Sequence, residues 1–146
     1  NHVADVLTRF LNMGVEPYQF VSALNCVMAQ RLVRLICSRC RRPAQVAPDA
    51  LRESGLDPEL ARTHTFYEGA GCLECGGTGF KGRTAICELL DLSDQIREMI
   101  LARRPSSEIK KVARDEGMRF LRECAVERVL LGLTTLREIN KVTFVE

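Results

Sequence analysis

Cys37-Ser38-Arg39-Cys40 and Cys72-Leu73-Glu74-Cys75 decide how this chain is read. Two residues between thiols let a tight knuckle aim both sulfurs at one point. Two such knuckles supply the four thiolates that Zn²⁺ takes in tetrahedral geometry. The second pair runs into Gly76-Gly77-Thr78-Gly79, glycines that permit the sharp reversal a metal knuckle needs. Cys37, Cys40, Cys72 and Cys75 are therefore the expected metal ligands. Disulfides fit poorly, because the cysteine count of seven is odd and no apolar signal segment opens the chain. A thioredoxin-like redox pair would need one CxxC at the start of a helix in a βαβ unit. A catalytic zinc would keep an open coordination position, whereas four cysteines close it, so the metal is expected to be structural. Its binding would supply roughly 10–16 kcal/mol of local folding free energy.

Around these pairs lies a globular composition: 146 residues, 46% apolar and 27% charged, with a net charge of +2. That balance argues neither for nor against nucleic acid. No apolar run approaches a membrane span. The opening Asn1-His2-Val3 has no initiator Met, as expected of a fragment or a processed product.

Upstream of the first pair, Val3, Val6, Leu7, Phe10 and Leu11 recur at three- and four-residue steps and predict a helix over 3–13, stopped by Gly14. Pro17 opens a second helix with Val21, Leu24 and Met28 as its buried stripe and Cys26 as a core filler. Arg31 to Ile36 leans toward a strand. Arg31, Arg34, Arg39, Arg41 and Arg42 form a basic cluster. It is either a solvated face with counter-charges for a dianionic metal centre, or a contact for phosphate or an acidic partner.

The 31 residues from Arg41 to Gly71 exceed the spacer of a compact zinc ribbon, about 15–20 residues. Pro48 opens a short helix closed by Gly55, Pro58 starts a further turn, and Phe66-Tyr67 returns extended. His64 is expected to be exposed. Residues 81–90 predict a strand with Ala85, Cys87 and Leu89 on its packed face. Helices follow: one capped by Ser93, one capped by Ser106 or Ser107 and ended by Gly117, one carrying Phe120, Leu121, Cys124, Val129 and Leu131, and a last one at Thr135-Leu136-Arg137-Glu138. Cys124 is expected in the core.

Several of these stretches resemble one family. Leu7-Thr8-Arg9-Phe10-Leu11-Asn12-Met13-Gly14-Val15-Glu16-Pro17 is similar to a segment of the hexameric P-loop ATPases of type II secretion and type IV pilus extension. Ala29-Gln30-Arg31-Leu32-Val33-Arg34 before Cys37-x-x-Cys40 resembles that family's junction into its tetracysteine region. Thr78-Gly79-Phe80-Lys81-Gly82-Arg83-Thr84-Ala85-Ile86, Glu88-Leu89-Leu90, Gly117-Met118-Arg119, Gly132-Leu133-Thr134-Thr135-Leu136 and Lys141-Val142-Thr143 resemble its later motifs. Only about 44–65 is uninformative.

The resemblance implies an α/β fold with a zinc insertion: residues 1–36 end a RecA-like domain, 37–80 form a Cys₄ zinc module, and 81–146 supply a returning strand beside 31–36 and a small helical bundle. It implies a cytoplasmic motor at the inner membrane, working on a platform protein, with ATP and Mg²⁺ as cofactors of the parent and Zn²⁺ structural. Asn1 would end a histidine box, while His2 stands where the family carries Asp or a small polar residue and is given no catalytic role. No G-x-x-x-x-G-K-[ST] occurs here, so this stretch is not expected to hydrolyse ATP alone and contributes no catalytic residue. Arg31 and Arg34 are candidates for inter-domain or inter-subunit contacts. No nucleic-acid partner is expected. Two alternatives are a chaperone-type zinc module, for which Cys72 to Gly79 gives one CxxCxGxG unit, and a nucleic-acid-binding ribbon. The ribbon would have only Phe66, Tyr67 and Phe80 for base stacking.

Overall fold

A computed structural model describes residues 2–143, so Asn1 lies outside the described residues. The chain is mixed α/β. In order it forms α1 (Val3–Asn12), α2 (Pro17–Ala23), β1 (Cys26–Ile36), β2 (Arg41–Ala44), α3 (Pro48–Glu53), α4 (Leu60–Thr63) and β3 (Phe66–Gly69). A 3₁₀ turn (Leu73–Cys75) then leads to β4 (Phe80–Asp91), α5 (Asp94–Leu101), α6 (Ser106–Asp115), α7 (Leu121–Leu130) and α8 (Leu136–Val142). β1 pairs with β4, and β2 with β3. Leu92 N–H donates to Asn25 O, and Cys37 N–H to Gly79 O, both at 2.9 Å.

Residues 1–30 and 87–121 form one compact unit, residues 31–86 and 122–146 a second. The first unit has an apolar core of Val3 and Leu7 from α1, Phe20 and Val21 from α2, Leu90 and Leu92, and Ile96, Ile100, Ile109 and Ala113 from α5 and α6. Phe10 and Phe20 stack with ring centroids 5.2 Å apart. Ser93 caps α5 by accepting the Ile96 N–H at 3.3 Å. In the second unit β2 and β3 pair antiparallel from Arg41 opposite Gly69 to Ala44 opposite Phe66. α3 and α4 fill the connection between these strands, with Leu51 wholly buried. The four helices after β4 thus divide: α5 and α6 belong to the first unit, α8 and all of α7 beyond Leu121 to the second.

Several expectations need correction. α2 ends at Ala23 because Leu24 is extended, so Cys26 and Met28 lie on β1 instead, and both are exposed. β1 alternates, with Val27, Ala29 and Val33 turned inward. On β4 the buried face is Ile86, Glu88 and Leu90, not Ala85, Cys87 and Leu89; Leu89 is half exposed and Cys87 half-buried. Both faces carry apolar residues, so periodicity alone could not choose between them. Neither Ser106 nor Ser107 caps α6: Pro105 holds the N-cap position and makes no side-chain bond. Leu131 is exposed just past the end of α7, where Ala125 and Val129 are buried and Cys124 is half-buried. His64 is exposed, as expected. No helix among the described residues is long and apolar enough to cross a membrane.

Candidate metal centre

The sulfurs of Cys37, Cys40, Cys72 and Cys75 converge, all lying within 4.8 Å of one another. Neighbouring sulfurs are 3.9 Å apart for Cys37 and Cys72, 3.8 Å for Cys40 and Cys75, and 3.7 Å for Cys72 and Cys75. A tetrahedron with Zn–S bonds of about 2.3 Å has sulfur–sulfur edges of about 3.8 Å. Three of the six sulfur–sulfur separations match that edge and all fall within 4.8 Å, so the four thiols are placed to take a tetrahedral ion, while sulfurs bonded as disulfides would stand about 2 Å apart. Cys37 and Cys75 are buried, Cys40 and Cys72 half-buried.

Local backbone builds this cluster. Cys37 follows directly on the last residue of β1 and Cys40 lies one residue before β2, so the first knuckle is the turn between two strands. The second knuckle is the 3₁₀ turn, closed by Gly77 N–H to Cys72 O at 2.9 Å. Gly79 then returns past Gly69 so closely that a Cβ on Gly69 would lie 2.0 Å from Gly79 O. Only glycine tolerates that approach, and Gly79 itself has φ +78°.

Backbone donors surround the sulfurs. Cys75 Sγ accepts the N–H groups of Cys72 and Gly79, each at 3.2 Å, and Cys40 Sγ accepts that of Gly71 at 3.3 Å. Burial pushes both thiols up. For Cys75 the two N–H groups and the thiols of Cys72 and Cys40 outweigh burial and bring it down to about 6. For Cys40 burial wins over the Gly71 N–H and holds the thiol near 11. Zinc takes cysteine as thiolate, so binding an ion here would release the sulfurs' protons. Lys81 stands beside the cluster, its ammonium 2.5 Å from Glu74, and its pKa is raised first by that contact and further by Cys37 and Cys72.

The arginines have other partners. Arg34 donates to Glu138 through Nε at 3.0 Å and a terminal nitrogen at 2.6 Å, and its guanidinium lies 4.1 Å from the Phe80 ring centre. Arg41 lies 3.8 Å from the centre of the Tyr67 ring, and Arg42 pairs with Glu68 at 3.0 Å. Arg31 is half-buried on β1, and Arg39 is exposed. Glu138 is buried, and Arg34, then burial in opposition, then Lys141 set its carboxyl, which falls to about 2.

Two acids escaped the sequence reading. Glu138 sits at the capping-box position after Thr135, and its pairing with Arg34 is not a local signal. Glu88 is 1% exposed and accepts the N–H of Val3 at 2.6 Å and of Leu121 at 2.9 Å, the first residues of α1 and α7. A lone acid among Ile86, Leu89 and Leu90 was its available signal.

The chain belongs to the family described as "Type II/IV secretion system protein", which it matches over residues 1–141. It is 45% identical over 139 residues to the type IV pilus assembly ATPase PilB of Thermus thermophilus, covering 95% of this chain and 16% of that protein. It is 36% identical over 140 residues to PilB of Myxococcus xanthus, covering 95% of this chain and 25% of that protein. To the type II secretion system protein E of Aeromonas hydrophila it is 35% identical over 143 residues, covering 98% of this chain and 28% of the relative. The chain therefore spans about a quarter or less of the pilus ATPases and little more of the secretion protein. The four clustered cysteines support the tetracysteine branch of secretion and pilus-assembly ATPases.

Proposed function

We propose that this chain is the C-terminal region of a hexameric P-loop ATPase that drives pilin or pseudopilin assembly in type II secretion or type IV pilus extension. The family match over residues 1–141 carries this reading. In it, residues 1–36 complete a RecA-like domain, 37–80 are the zinc module, and 81–146 return a strand and form the C-terminal helical part. ATP and Mg²⁺ act elsewhere in the parent, and the stretch of 146 residues contains no P-loop to bind phosphates.

Zinc, when bound, holds four thiolates in place and leaves no position open for substrate, so its role is structural. This chain's own residues do the remaining work: the Cys72, Gly79 and Gly71 N–H groups orient the sulfurs, and Lys81 offsets their charge. The parent is placed in the cytoplasm against the inner membrane, acting on a platform protein. Arg31 and Arg34 are the proposed inter-domain or inter-subunit contacts.

Reading the coding sequence upstream of Asn1 tests the proposal. A P-loop and a histidine box in frame are expected; an unrelated domain there would overturn it. In the full parent, charge reversal at Arg31 is expected to lower ATP hydrolysis or hexamer assembly. Unchanged activity and assembly remove Arg31 from the contact set.

A further inference from the structure

We infer that the metal ion fixes the segment Gly132–Glu138 and the docking of α8 as well as its two knuckles. The inference rests on the reading of the four thiols as a zinc site and lies wholly within the second unit. Three segments beside the ligands lead to one place. Ile36, next to Cys37, donates its N–H to Leu133 O at 2.9 Å; two residues earlier, Arg34 O accepts the Thr134 hydroxyl at 2.8 Å. Gly79 gives its N–H to Cys75 Sγ and accepts that of Cys37, and the next residue, Phe80, lies under the guanidinium that holds Glu138. Arg41, next to Cys40, stacks on Tyr67 against Gly132, where a Cβ would lie 2.2 Å from the Arg41 nitrogen and 2.7 Å from the ring.

A displacement of either knuckle therefore moves a partner of residues 132–138, the segment that opens α8. The interior of α7 buries Ala125 and Val129 and serves as the internal reference. α8 also forms one wall of a groove of about 610 Å³ lined by Ala47, Ala50, Phe66, Val129, Leu136 and Asn140, so the groove's shape follows the ion. Metal loading is then a conformational device acting on a surface beyond the ligands themselves.

The test is amide hydrogen exchange on the full chain, loaded with Zn²⁺ and then stripped by a chelator. Co²⁺ substitution serves as an independent check of four-thiolate ligation. Absence of the cobalt–thiolate absorption overturns the zinc reading itself. With the band present, stripping is expected to speed exchange in 133–142 by about tenfold or more while the α7 interior keeps its protection. Unchanged exchange in 133–142 after the knuckles open overturns the inference, as does a uniform loss of protection throughout the second unit. In Arg34→Met the cobalt band should persist while 133–142 exchanges faster with Zn²⁺ bound. Wild-type protection in that variant would refute the route through Arg34.

Discussion

Replacing Glu138 by Gln removes the carboxylate that Arg34 grips through two bonds and Lys141 through a third at 2.8 Å. In the folded chain this carboxyl titrates at about 2, against an ordinary value of 4.5. At about 1.4 kcal/mol for each tenfold change in acidity, that gap corresponds to about 3 kcal/mol of linked stability. Arg34's side chain is 44% exposed, and screening of the partly solvated pair reduces the expected contribution to about 2 kcal/mol. The direction with pH follows from the lowered folded value. The unfolded carboxylate takes up a proton near 4.5 and the folded one only near 2, so the contribution is complete above about 4.5 and is lost as pH falls through about 2.

The assay is urea unfolding of wild type and Glu138→Gln in a Tyr18→Phe background. Tyr18 is exposed in the first unit and the chain has no Trp, so Tyr67 alone then reports on the second unit. Acid also releases zinc from thiolates, but that loss is common to both proteins and cancels in their difference. The gap should be about 2 kcal/mol at pH 7, hold to about pH 4.5, and close by about pH 2. A gap that does not change with pH would show that the substitution acts through packing and refute the charge argument. A gap under about 0.5 kcal/mol at pH 7 would reduce the pair to an ordinary surface contact.

Gly69→Ala drives a Cβ to within 2.0 Å of Gly79 O, so the second knuckle must shift; at least a tenfold loss of Zn²⁺ affinity by chelator competition is expected, on the scale of a lost supporting contact of about 10–100-fold. Glu88→Ala strands two buried N–H groups, and a loss of about 3 kcal/mol by denaturant unfolding of the first unit is expected, with Glu88→Gln recovering part of it through its amide oxygen. Arg103 holds φ +53° at the end of α5, where Arg104 N–H closes back on Met99 O at 2.9 Å. Arg103→Gly relieves that left-handed strain and should raise stability by about 0.5–1 kcal/mol, since its ion pair with Glu16 is exposed and weak. A loss of stability in the thermal melt would show that the pair matters more than the backbone.

What could be read from the sequence was local. Pro17, Pro48, Ser93 and Thr135 mark helix starts because a first-turn proline or a capping hydroxyl acts within one turn. The convergence of the four cysteines was legible for the same reason, each pair carrying its own geometry in four residues. β2 was not: Arg41-Arg42-Pro43-Ala44 has neither β-branched residues nor alternation, and it is a strand because β3 pairs with it. The packed face of β4 was hidden by apolar residues on both sides, and the buried Glu88 looks unfavourable until its donors from Val3 and Leu121 are known.

The role of Glu138 shows where local reading stops. Thr135 and Glu138 have the spacing of a capping box, and half of that motif forms, the Thr135 hydroxyl accepting the Glu138 N–H at 3.3 Å. The carboxylate instead takes a guanidinium 104 positions away, on the strand that ends one residue before Cys37. A capping carboxylate would be solvated and weak; one buried against Arg34 and Lys141 is held near pH 2. Glu138, in the first turn of α8, thus also reports the position of β1, and a motif that reads as local in sequence becomes a long-range contact in the fold.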